Sequence, residues 1–335
     1  MKKTLIAIVI ASVSTMTVAD TTIVTQSNFA HAETVHYFNL QLDEVDVNEW
    51  KMEREPVNMH NQTIIRSNID LLYQTAVVDA KGGATISVPQ SDVYQIAQII
   101  DENHYIVDAI YPGESKTITP DMLTTGQHFY ILKRTAIDAG IEEARRLQDE
   151  TKIEATSATP YKGKAYDVES LNTVRSELEK QGPGTIYALG FGRPDQVQEP
   201  HFSVASATGW GGLSGDHAQY LLANGTGDIS QCGAITMQVP PLDFDNGGYF
   251  SVIQYDSKGW IDVEKAGYSA SEMTPNSDGS YTFHLSDGSC ADKLNHIEVA
   301  DNSYYWGVRL YKPTDAAALT EYIKALHAKG ITAVK

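Results

Sequence analysis

The sequence predicts a mainly β protein: two β-rich halves, a partly helical connector between them, and a helix at the C-terminal end. Three observations carry this expectation. Runs rich in β-formers recur along both halves, as in Val93-Tyr-Gln-Ile-Ala-Gln-Ile-Ile100 and His104-Tyr-Ile-Val-Asp-Ala-Ile-Tyr111. Turn signals punctuate them at short spacing, at Lys81-Gly82-Gly83, Pro112-Gly113, Thr125-Gly126, Asp278-Gly279 and Asp287-Gly288. In the last third the alternation is clean: Tyr281, Phe283 and Leu285 share one face of a strand, and Trp306, Val308 and Leu310 share one face of another. Short strands at such spacing indicate antiparallel sheets in a sandwich or barrel.

Taken in order, the chain opens on a targeting pattern. Lys2 and Lys3 precede the apolar run Leu5–Val13, which is too short to span a bilayer. Small-residue cleavage sites follow at Thr17-Val18-Ala19 and Ala30-His31-Ala32, and the cleaner Ala-x-Ala places the boundary after Ala32. A periplasmic or secreted protein is expected, with no membrane insertion. Residues 33–150 form the expected N-terminal β domain, in which 33–62 read as polar and irregular. Ala136 to Glu150 reads as a helix. Residues 151–185 form the connector, with Asp167 capping a helix whose Leu171, Val174 and Leu178 share a face and Gly182 as its stop. Residues 186–335 form the C-terminal β domain. A short helix is expected from Ser214 to Asn224, then hairpins from Gly248 to Pro313, then a helix capped by Thr314 with Leu319, Ile323 and Leu326 on one face and Gly330 at its end.

The chain has 335 residues, and at roughly 100–200 residues per domain two domains are expected. Its net charge of −18 argues against nucleic acid as a partner, because phosphate neutralisation needs clustered Lys and Arg. Its two cysteines, Cys232 and Cys290, are expected to form a disulfide in an oxidising compartment; the alternative is two buried thiols.

Two regions carry a family resemblance. Asn68-Ile-Asp70-Leu-Leu-Tyr73, followed by Gly82-Gly-Ala-Thr-Ile-Ser-Val-Pro89 and Tyr94-Gln-Ile-Ala-Gln-Ile-Ile-Asp101, resembles the N-terminal module of bacterial exported proteins called domain of unknown function 1254. The region 248–313, with its Tyr-Asp turn, Asp-Gly-Ser hairpin and Arg-Leu-Tyr-x-Pro ending, is similar to the partner module, domain of unknown function 1214. Ser67 stands before Asn68 where many members have Pro. The resemblance implies two antiparallel β-sandwich domains of jelly-roll type and supplies no catalytic mechanism.

The candidate ligand-binding residues are Asn68, Asp70, Tyr73, Asp101, His104, Trp210 and Arg309. Asn68 and Asp70 share a strand face by parity, and Tyr73 needs a turn or bulge to join them. A carboxylate beside a histidine orients an imidazole or shares a cation, which makes Asp70, Asp101 and His104 the residues of an alternative hydrolase or metal-dependent enzyme. The plainer role for Asn68 and Asp70 is to hold a turn by side-chain hydrogen bonds. Trp210 beside Gly211 and Gly212 forms a ligand platform or packs at the domain junction. Ser214 and His217 lack the Gly-x-Ser-x-Gly elbow of a serine hydrolase. Asp243-Phe-Asp245-Asn246-Gly247 lacks the further ligands of an EF-hand and reads as a turn. Arg309, opposite the Trp306 face, is expected first as an interdomain salt-bridge donor; the alternatives are an exposed charge and an anion reader in the cleft. The expected function is binding of a small molecule, glycan or protein partner in an interdomain cleft, with a structural oligomer subunit as a further alternative; no cofactor is assigned.

Overall fold

A computed structural model describes residues 21–182, 185–225 and 227–333. The chain is mainly β, as the alternation predicts. The N-terminal sandwich is built from β1 (Lys51–Met52), β2 (Leu71–Asp79), β3 (Ala84–Ser87), β4 (Gln95–Asp101), β5 (Ile106–Ile110), β6 (Ser115–Ile118), β7 (His128–Ala136) and β8 (Lys152–Ala155). One sheet runs β1-β2-β7-β4-β5 and the other β6-β3-β8. Alternate residues such as Val78, Ile86, Ile99, Phe129 and Ile131 fill the space between them. Because β8 pairs with β3, this sandwich continues past residue 150.

The C-terminal sandwich comprises β9 (Ala218–Asn224), β10 (Gly233–Met237), β11 (Tyr249–Asp256), β12 (Gly267–Ser269), β13 (Tyr281–Ser286), β14 (His296–Glu298), β15 (Tyr304–Tyr311) and β16 (Thr332–Ala333). Its sheets are β12-β11-β15-β9 and β14-β13-β10-β16. Phe283, Leu285, Trp306, Val308 and Leu310 lie in one core, on the faces the alternation assigns. Cys232 and Cys290 are bonded, with Cα atoms 5.7 Å apart. Closing a loop of this length stabilises by about 4 kcal/mol in the chain-entropy picture.

Five α-helices occur among the described residues, besides short 3-10 turns: α1 (Phe29–Leu42), α2 (Ile141–Asp149), α3 (Val168–Glu179), α4 (His201–Gly209) and α5 (Ala316–Lys329). Asp167 caps α3 by accepting the Ser170 N–H at 2.8 Å. Asp315, one residue beyond the expected Thr314, caps α5 in the same way. α1, α3 and α4 share an apolar cluster that includes Phe29, Ala32, Leu171, Leu178 and Val204. The connector is therefore one part of a helical layer.

Four expectations are corrected. The boundary after Ala32 falls inside α1: Phe29 and Ala32 are buried, Val24 is buried, and Thr22 bridges Tyr166. A cut there would remove part of the helical core. The n-region, the h-region and the Ala19 site lie outside the described residues. The segment 33–62 is not irregular throughout, since α1 occupies its first third. The helix expected at 214–224 is instead β9, because pairing of Ala218–Asn224 with β15 overrides local helix propensity. The helix expected from Ala136 starts at Ile141, because β7 keeps its ladder to β2 through Ala136.

No described helix is long and apolar enough to cross a membrane.

Candidate functional site

The two sandwiches meet sheet against sheet. Strand parity decides which side chains meet. On β15 and β11, Leu310, Val308, Trp306, Phe250 and Val252 point into the C-terminal core, so Arg309, Tyr311, Tyr249, Ser251 and Tyr255 point toward the N-terminal sandwich. Tyr220 of β9 stands beside Arg309 in register. On β2 and β7, Val78, Ile131 and Phe129 fill the N-terminal core, so Tyr73, Tyr130, Leu132 and Arg134 face the other way, with Tyr73 opposite Arg134.

Between these faces, α1, α4 and the segment around residues 53–67 enclose a cleft of about 430 Å³. Its lining includes Arg66, Tyr73, Arg134, Trp210, Tyr220 and Arg309. That volume is within the range of small-molecule sites.

The charges of the cleft are its most informative property. The chain contains eight arginines. Arg54, Arg145, Arg146, Arg175 and Arg193 each have a carboxylate oxygen within 3.6 Å. Among the described residues the other three, Arg66, Arg134 and Arg309, have none, and all three line the cleft. Arg134 is 6% exposed and Arg309 8%. Burial opposes charge on both, the surrounding tyrosine oxygens outweigh it, and both keep a raised affinity for their proton. Arginine stays charged even when buried.

Neutral groups aim these guanidiniums. Arg134 donates Nη1–H to Gln98 Oε1 at 2.9 Å and Nη2–H to Gly211 O at 2.7 Å. Gln98 in turn donates to Gly212 O at 2.8 Å. The Gly211-Gly212 turn is required for this: Gly211 has φ +76°, and a Cβ on Gly212 would meet the Phe191 ring at 2.3 Å. Arg309 donates from Nη2 to Arg66 O, while its Nη1 is buried with no partner. Arg66 donates Nη1–H to Thr208 O at 2.7 Å, holds φ at +59°, and leaves Nε–H buried without an acceptor.

Asn68, Asp70 and Tyr73 do come together. Asn68 and Asp70 sit in the turn before β2, which resolves the parity problem. Asn68 N–H donates to Tyr73 Oη at 3.2 Å, and Asn68 Nδ2 donates to Tyr311 Oη across the domain seam at 2.9 Å. Asp70 lies behind the cleft floor with both carboxylate oxygens buried and, among the described residues, without a well-formed hydrogen bond; the Ser251 hydroxyl beside it interacts only weakly. Burial, opposed in part by Arg309, raises Asp70 to about 7.

Trp210 lines the cleft with its ring stacked on Tyr37 at 4.2 Å and its Nε1–H donated to Thr34 Oγ1 at 3.0 Å. His104 stacks on the far side of Trp210 at 5.4 Å. It accepts Gly211 N–H through Nε2 at 3.0 Å, and its Nδ1 pairs with Ser206 Oγ at 2.8 Å. Burial lowers His104 to about 3, so it is neutral. It supports the Trp210–Gly211 turn from behind.

Asp101 is elsewhere. Its Oδ1 accepts the N–H groups of Asn103 and Tyr105, and its Oδ2 accepts the N–H and hydroxyl of Thr124. In register it pairs with Phe129, which pairs with Val78, whereas Asp70 precedes Leu71 at the other end of β2. Eight residues at roughly 3.3 Å each put about 25 Å between the two carboxylates. Asp70, Asp101 and His104 therefore form no common centre, and no metal-holding group of His, Cys, Asp and Glu occurs among the described residues. The expected salt bridge at Arg309 is absent among the described residues, and the residue faces the cleft instead. His217 pairs with Tyr111 Oη at 2.9 Å rather than with Ser214, and Asp243–Gly247 is a turn in which Asn246 Nδ2 bonds the Asp243 carboxylate.

The chain shares its fold with the VPA0106 protein from Vibrio parahaemolyticus. The two are 16% identical, with a TM-score of 0.67 over 92% of this chain and 98% of that one. A putative uncharacterized protein from Burkholderia cenocepacia is 14% identical, with a TM-score of 0.52 over 87% of this chain and 86% of that one. At such identities the likeness is one of fold. No family model and no curated protein matches the chain.

Sequence reasoning missed Arg66, Arg134, Tyr37 and Tyr220. One signal was available: Lys133-Arg134 follows Phe129-Tyr-Ile-Leu132 inside a β run, and a charge pair embedded in apolar strand must place at least one charge on a buried face. Lys133 is that second case. It is fully buried on the core side, donates to Thr135 Oγ1 at 2.7 Å, and burial lowers it to about 7.

Proposed function

We propose that this protein is an exported binding protein that takes a small organic anion into the cleft between its two sandwiches. One observation carries the reading: among the described residues, three of the eight arginines lack a carboxylate partner, and all three face one cleft in a chain of net charge −18. A buried guanidinium without a counter-ion is costly unless something compensates it. A carboxylate or similar oxyanion supplies that compensation through charge-assisted, often bidentate hydrogen bonds. Tyr73, Trp210 and Tyr220 supply rigid aromatic walls for the rest of the ligand. The export reading is supported by the Lys2-Lys3 and Leu5–Val13 pattern and by the Cys232–Cys290 bond, which suits an oxidising compartment.

Isothermal titration calorimetry with benzoate tests this. Benzoate is expected to bind one to one, more weakly as salt rises, and at least tenfold more weakly to Arg134→Gln and to Arg309→Gln. Benzyl alcohol, of the same shape without the charge, is expected to bind far less. Arg66→Gln, at a half-buried position, serves as the third variant if either of the others unfolds by circular dichroism. Equal affinity for benzoate and benzyl alcohol, or full benzoate affinity in the folded variants, rejects the proposal.

A further inference from the structure

The lining of the cleft changes character from floor to mouth. The floor holds Arg134 and Arg309, each under a tenth exposed. The walls carry Tyr37, Leu132, Trp210 and Leu222. At the mouth stand Leu40 of α1 and Ile64 of the facing segment, 46% and 44% exposed. Together with Tyr37, Leu132, Trp210 and Leu222 they continue the apolar lining of the cavity out to its rim. The acidic residues of the lining do not disturb this gradient. Glu44 and Glu53 share Lys51, and Glu55 is held by Arg145, so each has a cation beside it and none reaches the floor arginines.

A short hydrophilic anion would satisfy the arginines and leave the walls and rim wet. A ligand with an anionic head and an apolar body would desolvate all three zones. We infer that the ligand is an amphipathic carboxylic acid, its carboxylate at the floor arginines and its hydrocarbon body running along Tyr37 and Trp210 to Leu40 and Ile64. This inference rests on the anion reading of the same cleft and adds the ligand's class to it. Charge complementarity fixes the orientation, since the reverse pose would bury hydrocarbon against guanidinium groups and leave their remaining N–H donors unpaired.

A series of straight-chain alkanoates from acetate to decanoate tests it, titrated calorimetrically below their micelle concentrations at fixed pH and salt. Affinity is expected to rise about fourfold per methylene, the increment for removing a CH2 from water, and to level off once the chain reaches the rim. Leu40→Ser and Ile64→Ser are surface changes that leave the fold intact. They are expected to weaken decanoate several-fold and to leave butanoate unchanged. If all chain lengths bind equally through the arginines, the amphipathic assignment is wrong and the anion site stands. If no alkanoate binds, or decanoate binds with several molecules per chain and equally to Arg134→Gln, both are wrong.

Discussion

The cleft floor and the turn at residues 101–104 are both buried and polar, and both attract notice in the sequence. Their hydrogen bonding is opposite. Asp101 accepts four hydrogen bonds and His104 uses both ring nitrogens, so neither has capacity left for a ligand. In the cleft, among the described residues, Arg309 leaves an orphan Nη1 and Arg66 an orphan Nε, and behind the floor Asp70 has two carboxylate oxygens without a well-formed hydrogen bond. Buried polar groups are nearly always satisfied, so saturation marks architecture and unused capacity marks a place that something else completes. The same residue types thus divide by what they leave unbonded, and the turn serves the cleft only by holding Trp210 and Gly211 from behind.

This contrast predicts effects of opposite sign. The largest concerns Asp70. Its folded value of about 7 lies above the ordinary 3.8, so native protein holds a proton that unfolded chain releases between about pH 4 and 7. Stability from this group is present below pH 4 and is lost as pH rises through 7. Asp70→Asn is expected to abolish that slope and to gain up to about 4 kcal/mol at pH 8, at about 1.36 kcal/mol for each tenfold change in proton affinity. Urea titrations across pH 4–8 read it, and parallel slopes for the two proteins would break the comparison.

Asp101→Ala is expected to do the reverse, destabilising by about 3 kcal/mol because buried donors lose a charged acceptor. Benzoate affinity of the folded fraction should not change. A loss below about 1 kcal/mol, or lost binding in folded protein, would mean the turn is not purely architectural.

His104 gives a graded effect that is absent at neutral pH. Its value of about 3 lies below the ordinary 6.5, so its contribution is complete above pH 6.5 and declines as pH falls toward 3. The decline is about 1.4 kcal/mol per pH unit and should vanish in His104→Gln. Thermal unfolding between pH 4 and 7 separates the two.

The smallest stability effect belongs to the cleft arginine. Arg309→Met is expected to shift stability by no more than about 1 kcal/mol, because relief of the buried charge is offset by loss of its hydrogen bonds to Arg66 O and Ser67 O and of its attraction for Asp70. The same change should remove anion binding. Chemical unfolding and calorimetry on one preparation test both halves.

How much of this was legible in the sequence follows from range. Period-two alternation placed Phe283, Leu285, Trp306, Val308 and Leu310 in the core and Arg309 on the opposite face, since parity is local. Asp167 was readable as a cap for the same reason. Parity did not reveal that the Arg309 face is covered by another sandwich, which is a property of two distant strands. β9 was hidden because Ala218–Asn224 is strand only through its pairing with β15, nearly ninety residues on. The cleft draws on Arg66, Arg134, Trp210 and Arg309, four separated segments with no common spacing. Trp210 and Arg309 were legible as candidates, from the glycine run and from strand parity; Arg134 carried a signal that went unread, a charge inside an apolar run, and Arg66 carried none.

Co-crystallisation with 4-bromobenzoate tests the central claim most directly, since the anomalous signal of bromine locates the ligand and fixes its direction. The account predicts one site in the cleft, with the carboxylate within hydrogen-bond reach of Arg134 or Arg309 and the bromine directed toward Leu40 and Ile64. A ligand seated outside the cleft, or one inside it with its carboxylate turned to Lys51 at the mouth, would contradict it.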